Sequence, residues 1–174
     1  TVIPVANYTH NTEYDLPVKP SPNMPNMQAI RLYPSLALFE GTNVSVGRGT
    51  YFPFQVIGSP FTTDTSYSFT PISIDGMSKD PMHLNKKFFG FDLKNLQTKK
   101  GVDLSYVIQM YQLSSDKLGY FGKNNFFDKL AGTTELKKQI IAHTSIADIK
   151  KTWQKDLLMY KKMRKKYLLY PDFE

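Results

Sequence analysis

The sequence contains no cysteine. Disulfides, thiolate zinc sites and thiol nucleophiles are therefore excluded, while the compartment stays open, since exported proteins can also lack cysteine. No apolar run approaches the ~20 residues needed to cross a bilayer, so no membrane span is expected, and no signal-peptide pattern is present. The three histidines, His10, His83 and His143, are scattered, and no pair has the i, i+4 spacing of a helical metal site; no metal is expected. Phosphate-loop and dinucleotide glycine patterns are absent, as is a serine in a nucleophile elbow.

What is present is a chain of 174 residues, enough for one domain, or one domain and a piece of another. Aromatic residues make up 14%, which favours a packed, strand-containing core over disorder. The net charge of +7 is unevenly placed. From Lys137 to Lys166 ten basic residues face only Asp148 and Asp156, and the rest of the chain is within one charge of neutral. That basic segment is helical in pattern, and its lysines lie where an amphipathic helix must be polar in any case. Without an accompanying nucleic-acid motif it reads as a solvated face, and no nucleic-acid partner is expected.

Thr1 runs straight into Val2-Ile3-Pro4-Val5, a strand pattern with no lead-in, so the chain is expected to be a fragment of a larger protein. Residues 6–35 carry Pro17, Pro20, Pro22, Pro25 and Pro34 and read as an extended connector. Short strands are predicted at Leu36–Glu40, Phe54–Ile57, Tyr67–Ile74 and Phe88–Leu93, with Pro71 confining the third to an edge or a bulge. The pattern then becomes helical. Leu104, Val107, Ile108 and Tyr111 share one helix face, with Asp103 as N-cap. A second helix is predicted over 134–142 and a third from Ser145, stopping before Pro171. Its apolar stripe, Ile146, Ile149, Trp153, Leu157, Tyr160 and Tyr167, reads as core. Mainly antiparallel short strands followed by three helices indicate an α+β fold.

The richest stretch chemically is Glu40 to Thr50. Gly41, Gly47 and Gly49 permit conformations and approaches that a Cβ forbids, and Thr42, Asn43, Ser45, Arg48 and Thr50 supply donors and acceptors. Glu40 can bind sugar hydroxyls, act as an acid or base, or brace the loop. Arg48 between two glycines can offer its guanidinium to a carboxylate or phosphate, or pair internally with Glu40 or Asp64. A long polar turn and a binding site remain alternatives at this point. Glycoside hydrolysis usually needs two carboxylates roughly 5–9.5 Å apart, and no second one is near Glu40 in sequence. His10, after the first strand pattern, can face a cleft or be structural.

Ser21-Pro22-Asn23-Met24-Pro25, Tyr33-Pro34, Leu38-Phe39-Glu40-Gly41-Thr42-Asn43-Val44-Ser45-Val46-Gly47-Arg48-Gly49-Thr50 and Phe127-Asp128-Lys129-Leu130-Ala131-Gly132 resemble the exo-acting β-N-acetylmuramidases. This glycoside hydrolase family was long catalogued as a bacterial domain of unknown function. Arg164 with Tyr167-Leu168-Leu169-Tyr170 agrees; His143-Thr144 departs, where the family more often has glycine. The resemblance implies a two-domain protein. Its Rossmann-like N-terminal domain would carry a Pro-Glu-His-Gly segment with the catalytic glutamate, absent here, and a smaller C-terminal domain would complete the cleft. Residues 1–30 would then be a remnant strand and connector, and 31–174 the C-terminal α+β domain. It also implies release of N-acetylmuramic acid from non-reducing ends of peptidoglycan fragments, no cofactor, and a periplasmic or otherwise exported location. Substrate contacts would come from Glu40, Thr42, Asn43, Ser45 and Arg48, with His10 and Asn23. Catalytic residues are expected in the missing half, with Glu40 at most a contributor. A stand-alone cell-wall carbohydrate-binding module is the alternative.

Overall fold

The computed structural model describes residues 1–172. Two compact units are present: residues 17–144, and residues 1–16 with the described part of 145–174. The fold is α+β, as the sequence indicates. The element order is richer than expected, because one helix precedes the strands and four follow.

In the larger unit, helix α1 spans Met27–Leu36. Asn26 caps it, its Oδ1 accepting the Ala29 N–H at 3.0 Å. Ala29, Leu32, Ser35 and Leu36 form its buried face. A 3-10 turn, Ala37–Gly41, continues from it. The expected strand Leu36–Glu40 is therefore a helix end, and the expected connector becomes helical from Met27. The proline signal misleads here because Pro34 lies in the last turn, where it removes one helical hydrogen bond without stopping the helix.

Strands β1 (Val56–Ser59), β2 (Tyr67–Phe69) and β3 (Phe88–Asp92) form one antiparallel sheet in the order β1-β3-β2. Gly90 of β3 lies opposite both Gly58 and Tyr67. A Cβ at Gly90 would fall on the Ile57 carbonyl, so glycine is what lets the backbones close here. β2 is an edge strand that ends before Pro71, as expected of a proline that cannot donate to a ladder. β1 starts later than predicted because buried Phe54 holds a left-handed φ of 57°.

Helices α2 (Ser105–Leu113), α3 (Phe126–Ala131) and α4 (Glu135–Ile141) complete this unit. The N-cap of α2 is Leu104, one residue after the expected Asp103; Asp103 Oδ1 accepts the Ser105 N–H at 2.9 Å and closes the turn that leads into the helix. Helix α3 was not expected from the pattern; with six residues it is too short to show a period. Every buried apolar residue among the described ones, Ile149 excepted, belongs to 17–144. At the centre, fully buried Tyr120 donates its hydroxyl to the Val107 carbonyl at 2.9 Å, and burial drives its pKa well above the ordinary phenol value.

The smaller unit is built around α5, Ile146–Arg164, followed by a 3-10 turn at Lys165–Tyr167. Ser145 Oγ accepts the Asp148 N–H at 3.1 Å and donates to Asp148 Oδ2 at 2.7 Å, so the expected cap is present. Residues 1–5 form no strand; the Val5 N–H donates to the Tyr170 hydroxyl at 2.8 Å. The expected core stripe is also corrected. Ile149 is buried, but Trp153 is only half-buried and Leu157, Tyr160 and Tyr167 are exposed. Periodicity marks a face that favours cover without saying what supplies it.

Candidate functional site

The glycine-spaced loop grows out of the α1–3-10 segment. Gly41 is required at its start, since a Cβ there would overlap the Phe127 backbone of α3. Thr42 pairs with Phe121, the Asn43 N–H donates to the Tyr120 carbonyl at 2.9 Å, and Ser45 exchanges backbone hydrogen bonds with Gly58 at 2.8 and 3.0 Å. The loop is thereby stitched both to the core and to β1. Gly47 and Gly49 have φ of 80° and 81°, a region in which residues with side chains are strained.

Once these bonds are assigned, the polar side chains separate into two groups. The Thr42 hydroxyl donates to the Phe39 carbonyl at 2.8 Å and accepts the Val44 N–H at 3.1 Å. Ser45 Oγ accepts the Gly47 N–H at 3.1 Å, and the Thr50 hydroxyl donates to the Gly47 carbonyl at 2.7 Å. These three hydroxyls hold the loop's own shape, and only that of Thr50 was not among the expected sugar contacts.

Glu40, Arg48 and Asn43 form the second group. Arg48 Nη2 lies 2.7 Å from Glu40 Oε1, with the two side chains 41% and 31% exposed. Of the internal partners considered for Arg48, it takes Glu40. The guanidinium also lies 5.5 Å from the Phe54 ring centroid, so the residue with the left-handed backbone supports the fork. One carboxylate oxygen orients Arg48, and the guanidinium has five N–H donors in all. Asn43 is different. Both its amide nitrogen and its amide oxygen are buried and have no hydrogen-bond partner among the described residues. A buried polar group left unpaired costs about 1–3 kcal/mol; both ends of this amide are closed off from solvent, and Asn43 does not line the Glu40–Arg48 cavity.

Glu40, Val44, Ser45, Val46 and Arg48 line an open cavity of about 270 Å³, together with Met82 and Phe126. It has the size of a site for one small ring, with a charged donor–acceptor pair and an apolar rim. Among the described residues lining it, Glu40 is the carboxylate, and it is ion-paired. Met82 and Phe126 were missed in the sequence because neither is polar; Phe126 directly precedes the Phe127-Asp128 run that carries the family resemblance.

The remaining expected residues, Asn23 and His10, do not line this cavity. Asn23 belongs to a turn closed by the Met24 N–H to the Ser21 carbonyl at 3.0 Å. Its Nδ2 donates to the Met77 carbonyl at 3.2 Å, while its buried Oδ1 has no partner among the described residues. His10 falls in the smaller unit. Its Nδ1 donates to the Pro171 carbonyl at 3.0 Å, and its ring packs edge-on to Tyr8 and Tyr170. Among the described residues, no three His, Cys, Asp or Glu side chains are grouped so as to hold a metal ion, and no helix is long and apolar enough to cross a membrane.

Residues 31–170 match the family model described as Exo-beta-N-acetylmuramidase NamZ, C-terminal. The chain belongs to this family. It is 30% identical over 196 residues to peptidoglycan beta-N-acetylmuramidase NamZ of Bacillus subtilis (strain 168), covering 98% of this chain and 45% of that protein. The crystal structure of a DUF1343 family protein from Bacteroides fragilis NCTC 9343 aligns with a TM-score of 0.92 at 49% identity, over 99% of this chain and 49% of that one. A second DUF1343 protein of the same strain aligns with a TM-score of 0.64 at 17% identity, over 88% and 45%, and shares the fold. The chain thus spans about half the length of these relatives.

Proposed function

We propose that this chain is the cleft-completing, substrate-holding part of an exo-acting β-N-acetylmuramidase. The whole protein would hydrolyse non-reducing terminal N-acetylmuramic acid from peptidoglycan fragments in the periplasm or another exported location. The observation that carries the reading is the cavity on the Glu40–Arg48 pair, set in the loop that bears the family resemblance. Arg48, oriented by Glu40 and backed by Phe54, presents a fork for the lactyl carboxylate of N-acetylmuramic acid. Asn43 does not line the cavity, and its buried amide would pair with an N-acetyl group or a ring hydroxyl only by turning toward the sugar. Thr42 and Ser45 act by shaping the loop.

A single ion-paired carboxylate in the cavity fits binding better than bond cleavage, which uses a pair. In this reading the acid that breaks the glycosidic bond belongs to a Rossmann-like half outside residues 1–174. The exposed apolar stripe of α5 supports a partner domain of that kind, since an amphipathic helix face gains by being covered.

The test is product release. Full-length protein incubated with muropeptides ending in N-acetylmuramic acid should liberate the free sugar, read by mass spectrometry, whereas residues 1–174 alone should liberate none. Failure of the full-length protein to release it, or release by the isolated chain, would contradict this division of labour.

A further inference from the structure

The Glu40–Arg48 cavity has an apolar half, and two glycines of the loop bring it there. Gly41 meets α3 so closely that a Cβ would overlap the Phe127 backbone, and Phe126, the first residue of that helix, lines the cavity. Gly49 does the same for the Pro81 ring, where a Cβ would also overlap, and the next residue, Met82, lines the cavity too. The Ile72 N–H donates to the Gly49 carbonyl at 2.8 Å, and the Asn85 N–H to the Pro71 carbonyl at 2.9 Å. These two bonds hold the turn that carries Met82 to the loop. Phe126 and Met82 thus come from segments far apart in sequence, and both stay exposed, whereas Val44 and Val46 beside them are buried.

The two halves of the cavity match the two groups of a lactyl ether. N-Acetylmuramic acid bears its carboxylate and a methyl on the same carbon, so a carboxylate engaged by Arg48 brings that methyl to the apolar residues lining the same cavity. A methyl moved from water onto such residues is stabilised by the hydrophobic effect, whereas a ring hydroxyl set there would lose its hydrogen bonds to water. The acetamido methyl of the same sugar has no charged neighbour to anchor it.

We infer that Met82 and Phe126 are specificity-determining residues that receive the lactyl methyl, so that the site separates a lactyl ether from a methyl-free carboxymethyl ether as well as an acid from a neutral sugar. The inference rests on the reading of Arg48 as the partner of the lactyl carboxylate and adds the group beside that carboxylate.

The test measures, by calorimetric titration of the full-length protein, the affinities for three sugars: N-acetylmuramic acid, its analogue with a carboxymethyl ether in place of the lactyl ether, and N-acetylglucosamine. Wild type should prefer N-acetylmuramic acid to the analogue roughly three- to tenfold, the discrimination that one methyl gives in an apolar pocket. Met82→Ala and Phe126→Ala should each reduce that preference, and the double variant should bring it within about twofold of unity, while Met82→Leu keeps it. Both side chains are exposed, so the variants should fold as wild type does, which the thermal midpoint checks. Equal wild-type affinities for N-acetylmuramic acid and the analogue, or an undiminished preference in the double variant, would overturn the role of Met82 and Phe126 alone. If wild type binds both acids no better than N-acetylglucosamine, the reading of Arg48 falls and this inference with it.

Discussion

The loop at 40–50 and helix α5 are the two most polar-looking parts of this molecule, and they use polarity in opposite ways. The loop is largely buried, and its hydroxyls are turned inward on its own backbone. The helix holds most of the chain's excess positive charge on an exposed surface, next to apolar side chains that are also exposed. Charge count therefore points to α5, whereas buried and unsatisfied chemistry points to the loop. The second is the better guide to a small-molecule site, because an unpaired buried amide has a definite complement and a solvated lysine does not.

The largest effect that could break this contrast is steric. Gly41→Ala would drive a methyl into the Phe127 backbone and should destabilise by about 3 kcal/mol, seen as a marked drop in thermal midpoint. A near-neutral result would mean that the loop is not locked to α3.

Next comes the division within the loop. Thr42→Val removes a hydroxyl serving two backbone partners and should cost about 2 kcal/mol of stability without changing the sugar affinity of the folded protein. Asn43→Ala should do the reverse, with stability within about 1 kcal/mol of wild type and affinity for N-acetylmuramic acid lowered roughly tenfold. Denaturant unfolding and calorimetric titration together would show whether the two residues separate in this way.

These positions also show how far the sequence was informative. Glu40, Asn43, Ser45 and Arg48 were legible because glycine spacing and clustered polar residues are local signals. Which of them were already spent on the backbone was not, since that depends on Phe39, Gly47 and other groups brought in by the turn. The sheet was readable from the aromatic runs around Phe69 and Phe88, and α5 from its period and the Ser145 cap. Helix α1 was hidden by Pro34, although Ala29, Leu32 and Leu36 keep helical spacing. The apolar stripe of α5 was seen correctly, but its burial depends on contacts that a periodic pattern does not identify.

For the helix, replacing Leu157 and Tyr160 by Gln should change the stability of residues 1–174 by no more than about 0.5 kcal/mol each. In the full-length protein the same pair should cost clearly more, if another domain covers the face. Equal effects in the two would leave α5 as a solvated helix.

The smallest effect concerns pH. The Asp148 carboxyl is held below its ordinary value of 3.8, chiefly by the Lys151 hydrogen bond and then by Ser145. Since its folded pKa lies below the unfolded one, its contribution is present above 3.8 and is lost as pH falls through the folded value. Circular dichroism should show a slight fraying of α5 in that acid range, which Asp148→Asn removes.

The most direct measurement uses Arg48→Ala in the full-length protein. Its affinity for N-acetylmuramic acid should fall at least about tenfold, the loss of a charge-assisted fork, while the affinity for N-acetylglucosamine, which lacks the lactyl carboxylate, stays within about twofold of wild type. Equal losses for both sugars would contradict the account, because Arg48 would then be bracing the loop instead of holding the acid.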